Sequence, residues 1–72
     1  MDPSEWVPVS GSSRVVAERY DGMAERIYVR FPDGVEWWYG ACSSQTWAEF
    51  KSASRGQYIS QVLNQKPNGR AV

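Results

Sequence analysis

The chain has no histidine, a single cysteine and no long apolar run. Without histidine it lacks the commonest general base, the commonest zinc ligand and any Cys–His dyad. Cys42 cannot close an internal disulfide, and one thiol with no imidazole makes a poor zinc site. It sits just before a predicted helix, where a small apolar filler is the expected role. No apolar stretch approaches the roughly 18 residues needed to span a bilayer. The start, Met-Asp-Pro-Ser-Glu-Trp, is acidic and lacks the basic opening and apolar stretch of a signal peptide. The expected location is the cytoplasm. Net charge is zero, so no whole-molecule field draws the chain to nucleic acid or to an anionic membrane. Gly34, Gly40 and Gly56 match no phosphate-binding loop, and Glu18, Glu25, Glu36 and Glu49 are not paired by spacing. These absences predict a binding module rather than an enzyme, with no cofactor, no metal and no membrane.

What is present is aromatic. The 72 residues include four Trp, four Tyr and two Phe. A chain of this length forms one domain that buries only roughly 60% of its unfolded surface. Large rings, at about 150–250 Å² each, make such a core efficient. Charge is unevenly spread. Seven acids and four arginines lie up to Glu36, and beyond it Glu49 stands alone against Lys51, Arg55, Lys66 and Arg70. The C-terminal half is mildly basic, either as a solvated helical surface or as a patch facing a polyanion.

Residues 1–12 read as an irregular lead-in from which Trp6, Val7 and Val9 can dock on a core. Arg14 to Tyr20 reads as a strand with Val15 and Ala17 on one face and Val16, Glu18 and Tyr20 on the other. Asp21-Gly22 signals a turn, since glycine accepts positive φ. Glu25 to Phe31 alternates cleanly, with Ile27, Val29 and Phe31 to one side and Arg26, Tyr28 and Arg30 to the other. Pro32-Asp33-Gly34 predicts a hairpin turn into a returning strand, Val35 to Tyr39. The period then changes. Ser43 or Ser44 caps a helix reaching about Ala53, with Trp47 and Phe50 on one face. Ser54-Arg55-Gly56 breaks it, and a second helix runs from about Gln57 to Asn64 with Tyr58/Val62 and Ile59/Leu63 pairs. Lys66-Pro67-Asn68-Gly69 ends that helix, and the last residues read as frayed. The expected class is α+β: a three-stranded antiparallel meander followed by two short helices packed on one face. The domain proper is 13–65, with 66–72 as a flexible tail.

Two features suggest binding. Arg26, Tyr28 and Arg30 put cations beside a ring on one sheet face, which suits base stacking with phosphate contact. An ordinary open sheet face, with Glu18 or Glu36 neutralising the arginines across strands, gives the same pattern. Trp37-Trp38-Tyr39 is the second. If Trp37 and Tyr39 pack under the helices, Trp38 lies on the other face beside Tyr28 or Tyr20. There it is either an exposed stacking or interface residue or a ring covered by Trp6.

The order of motifs is similar to that of the KTSC domain, a module named for its place at the C-terminus of some lysyl-tRNA synthetases and found also as stand-alone small bacterial or phage proteins. The matching residues are Ser12-Ser13, Tyr20-Asp21, Trp37-x-Tyr39, Trp47 and Ser54-Arg55-Gly56-Gln57-Tyr58, spanning about Ser12 to Leu63. Trp37 replaces the first tyrosine of the family's Tyr-x-Tyr, and Cys42-Ser43 replaces its Val-Pro. The resemblance implies RNA as a ligand. Arg26, Tyr28, Arg30 and Trp38 would then form the platform, with Lys51 and Arg55 reaching phosphate near the start of the last helix. The alternative is a protein partner, or self-association, with the aromatic cluster around Trp38 as hot spot.

Overall fold

Alternating apolar residues and tight turns make the first half of the chain a sheet, and the shift to a helical period makes the second half its cover. The computed structural model describes residues 6–71. Its elements are β1 (Val7–Pro8), β2 (Ala17–Asp21), β3 (Arg26–Arg30), β4 (Glu36–Tyr39), α1 (Ser44–Ser52), α2 (Arg55–Gln61), a 3-10 turn (Leu63–Gln65) and β5 (Asn68–Arg70). The five strands form one antiparallel sheet in sequence order. Among the described residues no helix is long and apolar enough to cross a membrane.

The α+β class is as expected, but the sheet has five strands where three were expected. Both extra strands are edges whose composition hides them. β1 contains Pro8, which cannot donate to a ladder and is tolerated on an edge. It is extended by Val9 N–H donating to the Val16 carbonyl at 3.0 Å. β5 is Asn-Gly-Arg, a poor strand composition, in a stretch expected to be frayed. Its partner β4 supplies the order. Trp37 Nε1 donates to Asn68 Oδ1 at 3.0 Å, Gly40 N–H to the Pro67 carbonyl at 2.7 Å, and Ala71 N–H to the Glu36 carbonyl at 2.8 Å.

The two hairpin turns use different devices. Gly34 takes the left-handed position expected of it, with φ +89°. At the β2–β3 turn the left-handed residue is Glu25, φ +53°, and not Gly22. Asp21 sets this turn instead, its Oδ1 accepting from Met23 and Ala24 N–H at 3.0 and 3.2 Å.

Ser43 caps α1, its Oγ accepting from Thr46 N–H at 3.2 Å. α2 starts two residues earlier than expected and takes in Arg55 and Gly56, which were expected to lie in the break between the helices. A Cβ on Gly56 would stand 3.4 Å from Arg14 Cβ, an ordinary packing distance between helix and loop. The chain leaves α2 through the 3-10 turn, which puts Leu63 beside Ile59 in the core.

Both helices lie on one face of the sheet, over Ile27, Val29 and Tyr39. Phe50, Ile59 and Leu63 are fully buried against them. A ring stack runs through this layer, with Tyr20 on Trp47 at 5.4 Å, Trp47 on Phe50 at 6.1 Å and Phe50 on Tyr58 at 5.8 Å between centroids. Cys42 is buried in the same layer, where desolvation pushes its thiol pKa up despite the opposing charge of Lys66. Its Sγ lies 3.2 Å from the Gly40 carbonyl and 3.4 Å from that of Tyr39, the position of a packing residue.

Candidate functional site

Strand register settles which side chains share the open face. Ala17, Glu18, Arg19, Tyr20 and Asp21 pair with Arg30, Val29, Tyr28, Ile27 and Arg26 respectively. Tyr28 then pairs with Trp38, and Trp38 with Gly69. Directly paired residues project to the same side. Glu18 and Tyr20 therefore go with Ile27 and Val29 under the helices, while Arg19 and Asp21 go with Tyr28 and Arg26 on the open side. Trp6 precedes β1 and packs with Arg19 and Arg30. Trp6, Arg19, Tyr28, Trp38 and Gly69 thus form one row across the whole sheet.

Arginines lie on the rings of this row. The Arg19 guanidinium carbon is 3.8 Å from the Tyr28 centroid and 5.2 Å from that of Trp6. Arg26 sits over Trp38 at 4.2 Å, and Arg30 over Trp6 at 4.5 Å. Such contacts are worth about 0.5–1 kcal/mol at exposed sites. All six side chains are half-buried.

Among the described residues the face holds three arginines and two carboxylates, which leaves one formal positive charge. Glu36 Oε2 takes both Arg30 Nη2 at 2.8 Å and Arg30 Nε at 3.0 Å. The Asp21 carboxylate is turned to its own turn, as described above. Among the described residues Arg19 and Arg26 make no ion pair.

Four of the six residues singled out from the sequence, Arg26, Tyr28, Arg30 and Trp38, are brought together on this face. Lys51 and Arg55 are on the helix side. Arg55 Nε and Nη2 reach the two carboxylate oxygens of buried Glu18 at 3.1 and 3.0 Å. Lys51 Nζ sits 5.0 Å from the Trp47 ring. Of the carboxylates weighed as cross-strand partners for the arginines, Glu36 takes Arg30 and Glu18 turns to the opposite face. Trp6 lies against the arginines at the β1 end and leaves Trp38 to Arg26.

One participant, Arg19, escaped sequence reasoning, and another, Trp6, was weighed as a cover for Trp38 but lies against Arg19 and Arg30. Arg19 has the right parity, opposite to Tyr20, but only the register set by the β2–β3 turn puts it beside Tyr28. Trp6 sits in a proline-rich lead-in whose pairing no local pattern announces. The serine motifs have a structural account. Ser12 Oγ accepts from Arg14 and Val15 N–H, both at 3.2 Å, and Ser54 stands at the N-cap position of α2 without a side-chain capping bond. The two segments face each other across a polar groove of about 250 Å³.

One solved structure resembles this geometry from end to end. A KTSC domain protein from Yersinia pestis superposes with a TM-score of 0.82 at 24% identity, covering 94% of this chain and 97% of that one. The chain has the KTSC fold. No protein-family model matches the sequence, and no curated protein matches it. The KTSC fold thus accounts for the meander and the two helices, and the open face is read from the residues themselves.

Proposed function

We propose that this chain is a non-catalytic binding module of the KTSC family, and that its open sheet face takes single-stranded RNA. One observation carries the reading: three rings, Trp6, Tyr28 and Trp38, lie in one cross-strand row with arginines on them. Base stacking on aromatic rings contributes about 1–3 kcal/mol per base and tolerates any sequence. Arginine beside a ring adds phosphate contact and guanidinium stacking. The zero net charge fits a weak binder in which stacking supplies more than phosphate contact does.

The test is an NMR amide-shift titration of labelled protein with a short oligouridylate at low and moderate salt. Shifts should cluster on residues 19, 26–30 and 38 and fade as salt rises. Two phosphate contacts, from Arg19 and Arg26, correspond to a slope of about −1.4 in log K against log salt. Tyr28→Ala should weaken binding by about tenfold with the fold intact. A flat titration at low salt, or shifts confined to the helix side around Arg55, would sink the reading and turn attention to a protein partner. In that case Trp38→Ala should abolish capture of the partner while Arg26→Ala changes it little.

A further inference from the structure

Trp38 is seated on β5. A methyl group on Gly69 would stand 3.0 Å from the indole Nε1 and 3.3 Å from Cε2 and Cζ2, so the ring rests closely on the strand and would have to lift to admit a side chain there. At Gly40 an added Cβ would stand 3.2 Å from Cζ3 of the same ring. Arg26 lies over the ring, with its guanidinium carbon 4.2 Å from the centroid. It makes no ion pair among the described residues, and its register partner Asp21 has turned its carboxylate to the Met23 and Ala24 N–H groups. Arg30, by contrast, is tied to Glu36 as well as lying on Trp6. Arg26 is the cation on this face with the least to hold it and the best-supported ring beneath it.

We infer that Arg26 is a displaceable cover on a nucleobase seat made by Trp38 and Gly69. A base of a single strand takes the guanidinium's place on the indole, and the freed guanidinium swings to the adjoining phosphate. The inference deepens the nucleic-acid reading above and rests on it. The exchange is favourable because base stacking on an aromatic ring is the stronger contact, and because the displaced cation gains a charged hydrogen-bond acceptor in place of a ring. Tyr28 beneath Arg19 repeats the arrangement one strand away. Because these seats lie side by side across neighbouring strands, the nucleic acid crosses the sheet rather than following one strand.

The experiment is fluorescence anisotropy of an end-labelled oligouridylate with the wild type, Arg26→Ala and Gly69→Ala over a range of salt. NMR of the Trp38 indole N–H is recorded alongside. Removing Arg26 loses one phosphate contact but uncovers the seat. Its salt slope should be shallower by about 0.7, and its affinity line should cross that of the wild type, weaker at low salt and equal or tighter at high salt. RNA should shift the Trp38 indole resonance in both proteins. Gly69→Ala pushes the indole up from β5 and should weaken binding by about tenfold at every salt with the slope unchanged. Thermal melting checks that this variant is folded, and if it is not, the Arg26 lines alone decide. If Arg26→Ala is weaker at all salt concentrations without crossing, the arginine is an ordinary contact and the cover fails while the nucleic-acid reading stands. If the wild type does not bind at low salt, that reading fails and the inference with it.

Discussion

On the helix-covered face Arg55 grips Glu18 through two nitrogens; on the open face Arg19 and Arg26 lie on aromatic rings with no ion pair among the described residues. The covered face also directs its phenols to acceptors, Tyr20 to the Cys42 carbonyl at 2.7 Å and Tyr58 to Glu49 at 2.9 Å. No buried side-chain nitrogen or oxygen among the described residues lacks a partner. The same residue types are therefore used in two ways, and access to water separates them. A charge taken out of water needs a counter-charge and satisfied hydrogen bonds. A half-exposed arginine needs neither, so a ring is enough to hold it and a ligand can compete for it.

The contrast is most sharply broken at Glu18. It is 4% exposed, and its loss strands the Arg55 guanidinium in a part-buried site. Glu18→Ala should cost about 3–5 kcal/mol, most of the stability of a domain this small, as read by urea unfolding. Base should loosen the covered face next. The Tyr58 pKa is pushed from 10.0 to about 12, by burial first and then by its hydrogen bond to Glu49 and that carboxylate's charge. Tyr20 and Tyr39 are also raised, mainly by burial. A proton held more tightly in the folded chain gives stability that is complete below pH 10 and is lost as pH climbs towards 12. Urea midpoints taken across that range should fall continuously.

Smaller effects sharpen the comparison. Ala41 lies at the corner where the chain passes from β4 towards the helices, with φ +53°. Glycine relieves that strain but gains freedom in the unfolded chain, so Ala41→Gly should stabilise by a net of about 0.5–1 kcal/mol in thermal melts. The open-face pair Arg30–Glu36 is the counterpart of Arg55–Glu18, with side chains 36% and 19% exposed. Glu36→Gln should cost only about 0.5 kcal/mol by urea unfolding. A cost there approaching that at Glu18 would mean that the open face is as dry as the covered one.

Much of this was legible in the sequence because it is local. The alternation of Ile27, Val29 and Phe31 against Arg26, Tyr28 and Arg30 gave β3 and its two faces, Pro32-Asp33-Gly34 gave the hairpin, and Ser43 or Ser44 gave the α1 cap to within one residue. What was not legible depends on distance in the chain. The Glu18–Arg55 pair joins residues 37 apart, and it removes Arg55 from the surface role expected of it. β1 and β5 are strands because a neighbour holds them, not because Val-Pro or Asn-Gly-Arg prefers the conformation. Trp38 could be placed on a face by parity, but its seat on Gly69 could not, since no local pattern links β4 to a strand beyond two helices.

That last pairing bears on the order in which the molecule assembles. β2, β3 and β4 meet across turns of a few residues, so their hairpins close at little entropic cost. β5 must return to β4 over both helices, with Trp37 paired to Arg70. Hairpin contacts around Val29 should already be present in the folding transition state, and contacts at Gly69 should form after it. The nascent sheet would then expose Trp38 before β5 arrives, and refolding followed by the Trp38 indole signal should lag behind that of the β2–β3 amides.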